Sequence, residues 1–108
     1  MAFDETLAVR IRQALTRKKN IVEKKMFGGV GFLLNGNMLV GVWKDSLVVR
    51  ISPDDEDAVD QPHVQAFDVT GRPMKGWILV APAGIADDDA LKSWIDRGLK
   101  FVRTLPAK

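Results

Sequence analysis

Apolar residues recur with the period of an α-helix near each end of the chain. In residues 4–17 they fall on one face at i, i+4, i+7 and i+8, namely Leu7, Ile11, Ala14 and Leu15. Asp4 stands just before this stretch, where a carboxylate caps a helix. A second apolar stripe follows Asp87-Asp88-Asp89 and runs to about Thr104, with cations on the opposite side. The pattern therefore predicts one amphipathic helix at each end of the chain.

The stretch from residue 21 to residue 51 follows the two-residue period of β-strands instead. Asn35-Gly36 separates two apolar runs, and this dipeptide favours a two-residue hairpin because both turn residues need positive φ. Gly28-Gly29 permits a bend or bulge before the first of these runs. The result is a predicted antiparallel meander with strands over residues 21–27, 30–34, 37–43 and 46–51.

Less regular sequence follows the meander. Ser52-Pro53 followed by acids predicts a short helix, with Ser52 as its cap and Pro62 as its end. For residues 64–69 the pattern does not decide between extended and irregular structure. Residues 77–81 are predicted as a further strand. Hairpins dominate over βαβ units, so we predict a two-layer α+β fold with a mostly antiparallel sheet. The predicted order is α-β-β-β-β-α-β-α, in one domain over residues 1–108.

The strand over residues 37–43 is apolar on both faces. Simple alternation places Met38, Val40 and Val42 on one face and Leu39 and Trp43 on the other. A half-exposed sheet would alternate more cleanly between apolar and polar residues. Two explanations stay open: the second face is an oligomer or partner surface, or the later loop and the short helix cover it.

The composition is that of an ordinary globular domain. The 108 residues are 46% hydrophobic and 28% charged with no cysteine, which is typical of a globular domain without disulfides or thiolate metal sites. The start shows no secretory signal and no apolar run approaches a membrane span, so a soluble cytoplasmic protein is expected. The net charge of +2 is segregated, because residues 51–70 carry six anions and no Lys or Arg.

The sequence contains no clear catalytic or phosphate-binding motif. Gly28-Gly29-Val30-Gly31 is not followed by a helix start whose amides could hold a phosphate. His63 is the only histidine, and the few serines lie outside any nucleophile-elbow context. We therefore expect no catalytic residues, no metal site and no cofactor.

Cations beside aromatic and thioether side chains are the remaining candidates. Lys24 and Lys25 precede the first glycine bend and point to opposite faces of their strand. A glycine-bracketed loop and the strand after it supply the rest of the candidate contact set: Arg72, Met74, Lys75 and Trp77. Together they could grip a nucleic-acid backbone or an acidic protein surface. The alternative interpretation is that the apolar members are core and the lysines are solvated.

Several segments of the chain resemble the TfoX/Sxy N-terminal domain family. These segments are Glu23-Lys24-Lys25-Met26-Phe27-Gly28-Gly29, Asn35-Gly36-Asn37-Met38, Gly71-Arg72-Pro73-Met74-Lys75-Gly76-Trp77 and Phe101-Val102-Arg103-Thr104-Leu105-Pro106. The resemblance implies a two-layer α+β domain, and no catalytic residue is carried over from it. The family takes its name from regulators of natural competence that act with the cyclic-AMP receptor protein at promoters. Those regulators continue into a C-terminal domain, whereas this sequence ends at Lys108, so we expect a stand-alone N-terminal domain.

These observations support three hypotheses of function. The leading one is a non-enzymatic regulatory or adaptor domain that binds a protein partner of the transcription machinery. The alternative is a nucleic-acid-binding protein that uses the Lys/Arg patch, and a small-ligand-binding protein or enzyme ranks third. A homo-oligomer is compatible with each, and no membrane partner is expected.

Overall fold

The computed structural model describes residues 4–26, 29–66 and 76–107. Its helices are α1 (Glu5–Ala14), α2 (Glu56–Val59) and α3 (Asp88–Val102), with a 3-10 turn at Pro82–Gly84. Its strands are β1 (Ile21–Met26), β2 (Gly29–Leu34), β3 (Asn37–Trp43), β4 (Ser46–Arg50), β5 (Val64–Ala66) and β6 (Trp77–Val80). The predicted α+β class is confirmed, with one strand more than expected because the open stretch after residue 63 contributes β5.

Both terminal helices begin where the sequence predicts. The Asp4 carboxylate accepts a hydrogen bond from the Leu7 amide at 3.2 Å, and Asp87 accepts one from the Asp89 amide at 3.4 Å. Each cap satisfies an amide that the first helical turn leaves without a partner. The short helix is different, since it begins at Glu56 rather than directly after Ser52. Ser52 instead accepts from the Asp54 amide in a turn, so the prediction of Ser52 as its cap is wrong.

The six strands form a single sheet in which every neighbouring pair is antiparallel. The strand order is β1-β2-β3-β4-β6-β5, so the predicted meander occupies one side and β6 is inserted between β4 and β5. Asn35 and Gly36 have φ of 53° and 84°, as a two-residue hairpin with two positive φ values requires. The predicted hairpin is therefore confirmed.

One face of the sheet carries the main core, which all three helices share. Leu7, Ile11, Leu91, Ile95 and Leu99 of α1 and α3 are buried against alternate residues of the strands. Fully buried Ala58 places α2 in the same cluster. The explanation that the short helix covers the second face of the sheet is therefore wrong, and the loop named with it lies outside the described residues.

The second face, here called the outer face, is apolar in its centre. One row of cross-strand neighbours runs over all six strands: Lys24, Gly31, Gly41, Val48, Leu79 and Gln65. Val48 and Leu79 are nearly buried there beneath half-buried Trp43 and Trp77. An irregularity in the β2–β3 register turns Leu39 into the main core together with Val40 and Val42. Met38 therefore shares the outer face with Trp43, which corrects the simple alternation expected from the sequence.

Candidate interaction surfaces

β1 forms one edge of the sheet, and within the described ranges no strand pairs with its free side. Its Val22 side chain is 58% exposed, an unusual value for a large apolar residue in a strand. Lys24 and Lys25 are also exposed. Free amide and carbonyl groups along a six-residue edge are a template on which another extended chain can add a strand.

The two lysines of this edge point to opposite faces, as the sequence predicts. Lys24 pairs with Gly31 and belongs to the outer face, whereas Lys25 pairs with Val30, whose side chain is in the main core. Each lysine therefore presents its charge at a different side of the same free edge. A strand added there would meet one cation on each of its own faces.

Glu23, the one anion of β1, is already neutralised by α1. Arg12 donates from Nε and Nη2 to the two Glu23 carboxylate oxygens, both at 2.8 Å. These hydrogen bonds lower the pKa of Glu23 from its ordinary value and raise the pKa of Arg12. The remaining charge on the edge is that of the two lysines.

Trp77 does not join the two lysines. It opens β6, four strand positions from β1, roughly 19 Å along the sheet at the usual strand spacing. The cation over its ring is Arg50 of β4, whose Cζ lies 5.3 Å from the ring centroid. Arg72, Met74 and Lys75 lie outside the described residues. The joint contact surface that the sequence suggests therefore stays a prediction.

A basic groove that sequence reasoning missed lies between α1 and the start of α3. It has a volume of about 880 Å³ and is lined by Arg10, Gln13, Ala14, Thr16, Arg17, Lys18, Asp88, Leu91 and Lys92. Arg10 bridges its walls, because it donates to Asp88 Oδ1 from Nε at 3.1 Å and from Nη2 at 3.0 Å, and to the Ile85 carbonyl at 2.7 Å. Arg17 and Lys18 follow the C-terminal end of α1, where cations suit the helix dipole, and only the fold brings Lys92 beside them.

A second charged contact ties α3 to the segment before α2. Arg97 Nη1 lies 3.7 Å from Asp55 Oδ2, and the Arg97 guanidinium lies 5.0 Å from the Trp94 ring. Among the described residues this Nη1 has no hydrogen-bond partner although the atom is buried. At that distance the contact is electrostatic rather than a hydrogen bond, so we assign it to packing of the two elements.

The described residues contain no group of three or more His, Asp or Glu placed to hold a metal ion. Ser46 and His63 line a small pocket of about 270 Å³ at the start of β4. The Ser46 hydroxyl donates to the neighbouring Asp45 at 3.2 Å rather than to the histidine. A nucleophile needs a base in hydrogen-bond contact, and this pocket does not show one. No helix within these same ranges has the length and apolar character needed to cross a membrane.

The fold and these surfaces define a two-layer α+β domain with a free, lysine-bearing sheet edge and a basic groove between helices. The chain belongs to the TfoX N-terminal domain family, whose model matches residues 13–102 of its 108 residues. The resemblance seen in the sequence is thereby confirmed. No curated protein and no solved structure matches the chain.

Proposed function

We propose that this protein is a competence-regulator-like domain that acts by binding a protein partner and has no catalytic activity of its own. The observation that carries the proposal is the free edge of β1, with exposed Val22, Lys24 and Lys25. Membership of the TfoX N-terminal domain family supports the regulatory class. The partner we propose is a protein of the transcription machinery.

The chemistry of the edge indicates an extended acidic segment as the occupant. Main-chain hydrogen bonds to β1 would supply affinity, and acidic side chains opposite Lys24 and Lys25 would supply specificity. An apolar residue two positions from the acid that faces Lys24 would cover Val22 on the outer face. Pairing of Glu23 with Arg12 removes the one local charge that would repel such a segment.

A second copy of the chain fits this edge less well. An antiparallel pair of β1 strands related by a two-fold axis places one residue opposite its own copy. If that residue is Glu23, Lys24 or Lys25, two like charges face each other across the pair. Lysines on an edge strand are also a device by which proteins discourage self-association.

Affinity capture with edge-charge variants tests the proposal. The tagged wild type, the variant Lys24→Glu/Lys25→Glu and the control Lys100→Glu/Arg103→Glu would each be incubated with cell lysate. Both variants change the formal net charge from +2 to −2, and the control positions are exposed on or beside α3. We expect the control to retain a specific partner and the edge variant to lose it, because reversal of both lysines repels an acidic strand.

Hydrogen exchange on the purified complex then locates the contact. Within residues 21–26, the amides that point away from β2, those of every second residue, should gain protection when the partner binds, because strand addition gives them an acceptor. Equal partner recovery by both variants, or unchanged exchange in β1, would contradict the proposal. Turnover of a substrate by the wild-type domain would contradict its non-enzymatic part.

A further inference from the structure

The groove between α1 and α3 is a concave surface with a net positive charge. Four of its nine lining side chains are cations, and one is an anion. The anion, Asp88, is occupied by Arg10 in a two-donor contact. Arg17, Lys18 and Lys92 remain, and all three are exposed. The groove therefore presents three cations that make no ion pair among the described residues.

The helix dipoles favour only two of these three cations. Arg17 and Lys18 follow the C-terminal end of α1, where cations are favourable. Lys92 lies in the second turn of α3, near the positive end of that helix, where a cation gains nothing from the dipole. Asp88, four residues before Lys92, uses its carboxylate for Arg10. A ligand that brings negative charge into the groove would stabilise all three cations.

The other lining residues favour phosphate over an acidic protein surface. Gln13 and Thr16 are polar, Ala14 is small, and Leu91 is 2% exposed and belongs to the core. The groove thus lacks an exposed aromatic or large aliphatic anchor of the kind that carries protein–protein affinity. Recognition of a nucleic-acid backbone needs no such anchor, since cations and polar donors supply it.

We propose that the α1–α3 groove binds the phosphate backbone of double-stranded nucleic acid without reading its sequence. Single strands are bound mainly by stacking on aromatic side chains, and none lines the groove. The proposal goes beyond the protein-binding function above and shares no residue with the β1 edge.

Two acids near the groove set a limit on its affinity. Asp87 and Asp89 flank Asp88 at the start of α3 and are exposed, although neither lines the groove. Their charge opposes a phosphate that approaches Lys92. The variant Asp89→Asn should therefore bind duplex more tightly than both the wild type and Asp57→Asn, which removes the same charge from an exposed position outside the groove.

Fluorescence anisotropy with a labelled DNA duplex of about 20 base pairs tests the proposal. Each phosphate contact contributes about 0.9 to the slope of log affinity against log salt, so three contacts give a slope of about −2.7. Affinity of the wild type should then fall about 40-fold between roughly 50 and 200 mM salt. The groove variant Arg17→Gln/Lys18→Gln/Lys92→Gln should lose nearly all of this salt-dependent binding.

A matched control carries Lys44→Gln/Lys100→Gln/Arg103→Gln, which removes the same number of charges from exposed positions outside both the groove and the β1 edge. It should keep the wild-type slope. Circular dichroism checks that both variants fold, and amide shift changes in residues 13–18 and 88–92 of the wild type locate the duplex independently. Duplex RNA of equal length, single-stranded DNA and a polyglutamate peptide complete the set of probes.

The outcomes separate the alternatives. Absence of salt-sensitive duplex binding by the wild type overturns the proposal, and equal loss in both triple variants overturns the assignment to the groove. Binding of polyglutamate as tight as that of duplex overturns the choice of nucleic acid. Preference between DNA and RNA duplex identifies which source supplies the phosphates, and either preference supports a backbone site.

Discussion

Replacement of Gly41 by alanine should destabilise the protein, although alanine usually suits a strand better than glycine. Gly41 lies opposite Gly31 on the outer face. A methyl carbon on residue 41 would lie 2.6 Å from the Val30 carbonyl oxygen, 2.8 Å from Met38 Cε and 3.3 Å from the Gly31 Cα. Because the first of these atoms belongs to the backbone, β2 and β3 would have to separate to admit the methyl group.

The size of the effect follows from two opposing contributions. Overpacking of a tight site costs about 1–3 kcal/mol. Loss of glycine's freedom in the unfolded chain offsets about 0.4–1 kcal/mol of this. We expect the free energy of unfolding to fall by roughly 1–2 kcal/mol, which lowers the Tm of a domain of this size by roughly 4–8 °C.

Urea denaturation followed by tryptophan fluorescence measures this change. The same substitution at Gly98 of α3 is the control: its methyl group would contact Arg50, Leu39 and Val49 at 3.2 Å, and helix propensity gains about 1 kcal/mol. The loss at Gly98 should therefore be smaller than at Gly41. A G41A protein as stable as the wild type would refute the close approach of β2 and β3.

Three further substitutions test other contacts of the fold. Gly36→Ala should lower the free energy of unfolding by about 1 kcal/mol, because φ at this turn residue is 84°; unchanged stability in urea would contradict the hairpin geometry. Asn37→Ala should lower the free energy of unfolding by about 1 kcal/mol, because it removes the hydrogen bond that Asn37 Nδ2 donates to the Pro106 carbonyl at 2.9 Å. Faster hydrogen exchange or proteolysis of the C-terminal residues should accompany the change. Glu23→Gln should slightly reduce stability at neutral pH. Arg12 lowers the pKa of Glu23 in the folded state, so the stability that Glu23 contributes is present above its unfolded pKa and is lost as the pH falls through its folded pKa. The free energies of unfolding of the wild type and the variant should therefore converge in acid. A difference that stays constant with pH would contradict the ion pair.

Local signals in the sequence predict most of the elements correctly. Asn35-Gly36 specifies its hairpin, and Asp4 and Asp87 specify the starts of two helices, because each acts through its own backbone neighbours. The sequence predicts the start of the short helix too early, since Ser52 accepts from the amide of a turn rather than from that of a helix. Such competition between a turn and a cap is decided by the surrounding packing rather than by the dipeptide.

The surfaces could be predicted only in part. Opposite orientations of Lys24 and Lys25 follow from strand alternation, and the structure confirms them. Strands β2, β3 and β4 lie between β1 and β6 and separate Trp77 from both lysines, and no local pattern encodes the place of β6 in the sheet. The basic groove likewise depends on the approach of two helices far apart in sequence, which the Arg10–Asp88 contact fixes.

Insertion of β6 also has a consequence for synthesis of the chain. As the ribosome releases the polypeptide, the meander up to β4 can pair before Trp77 emerges, because its strands close only short loops. Until β6 arrives, β4 is an edge whose central residues, Leu47, Val48 and Val49, carry no charge. The finished edge strand β1 has lysines that discourage unwanted pairing, whereas the one charge of this temporary edge is Arg50 at its end. A nascent or truncated chain that stops before β6 therefore exposes a largely apolar strand edge on which aggregation can begin.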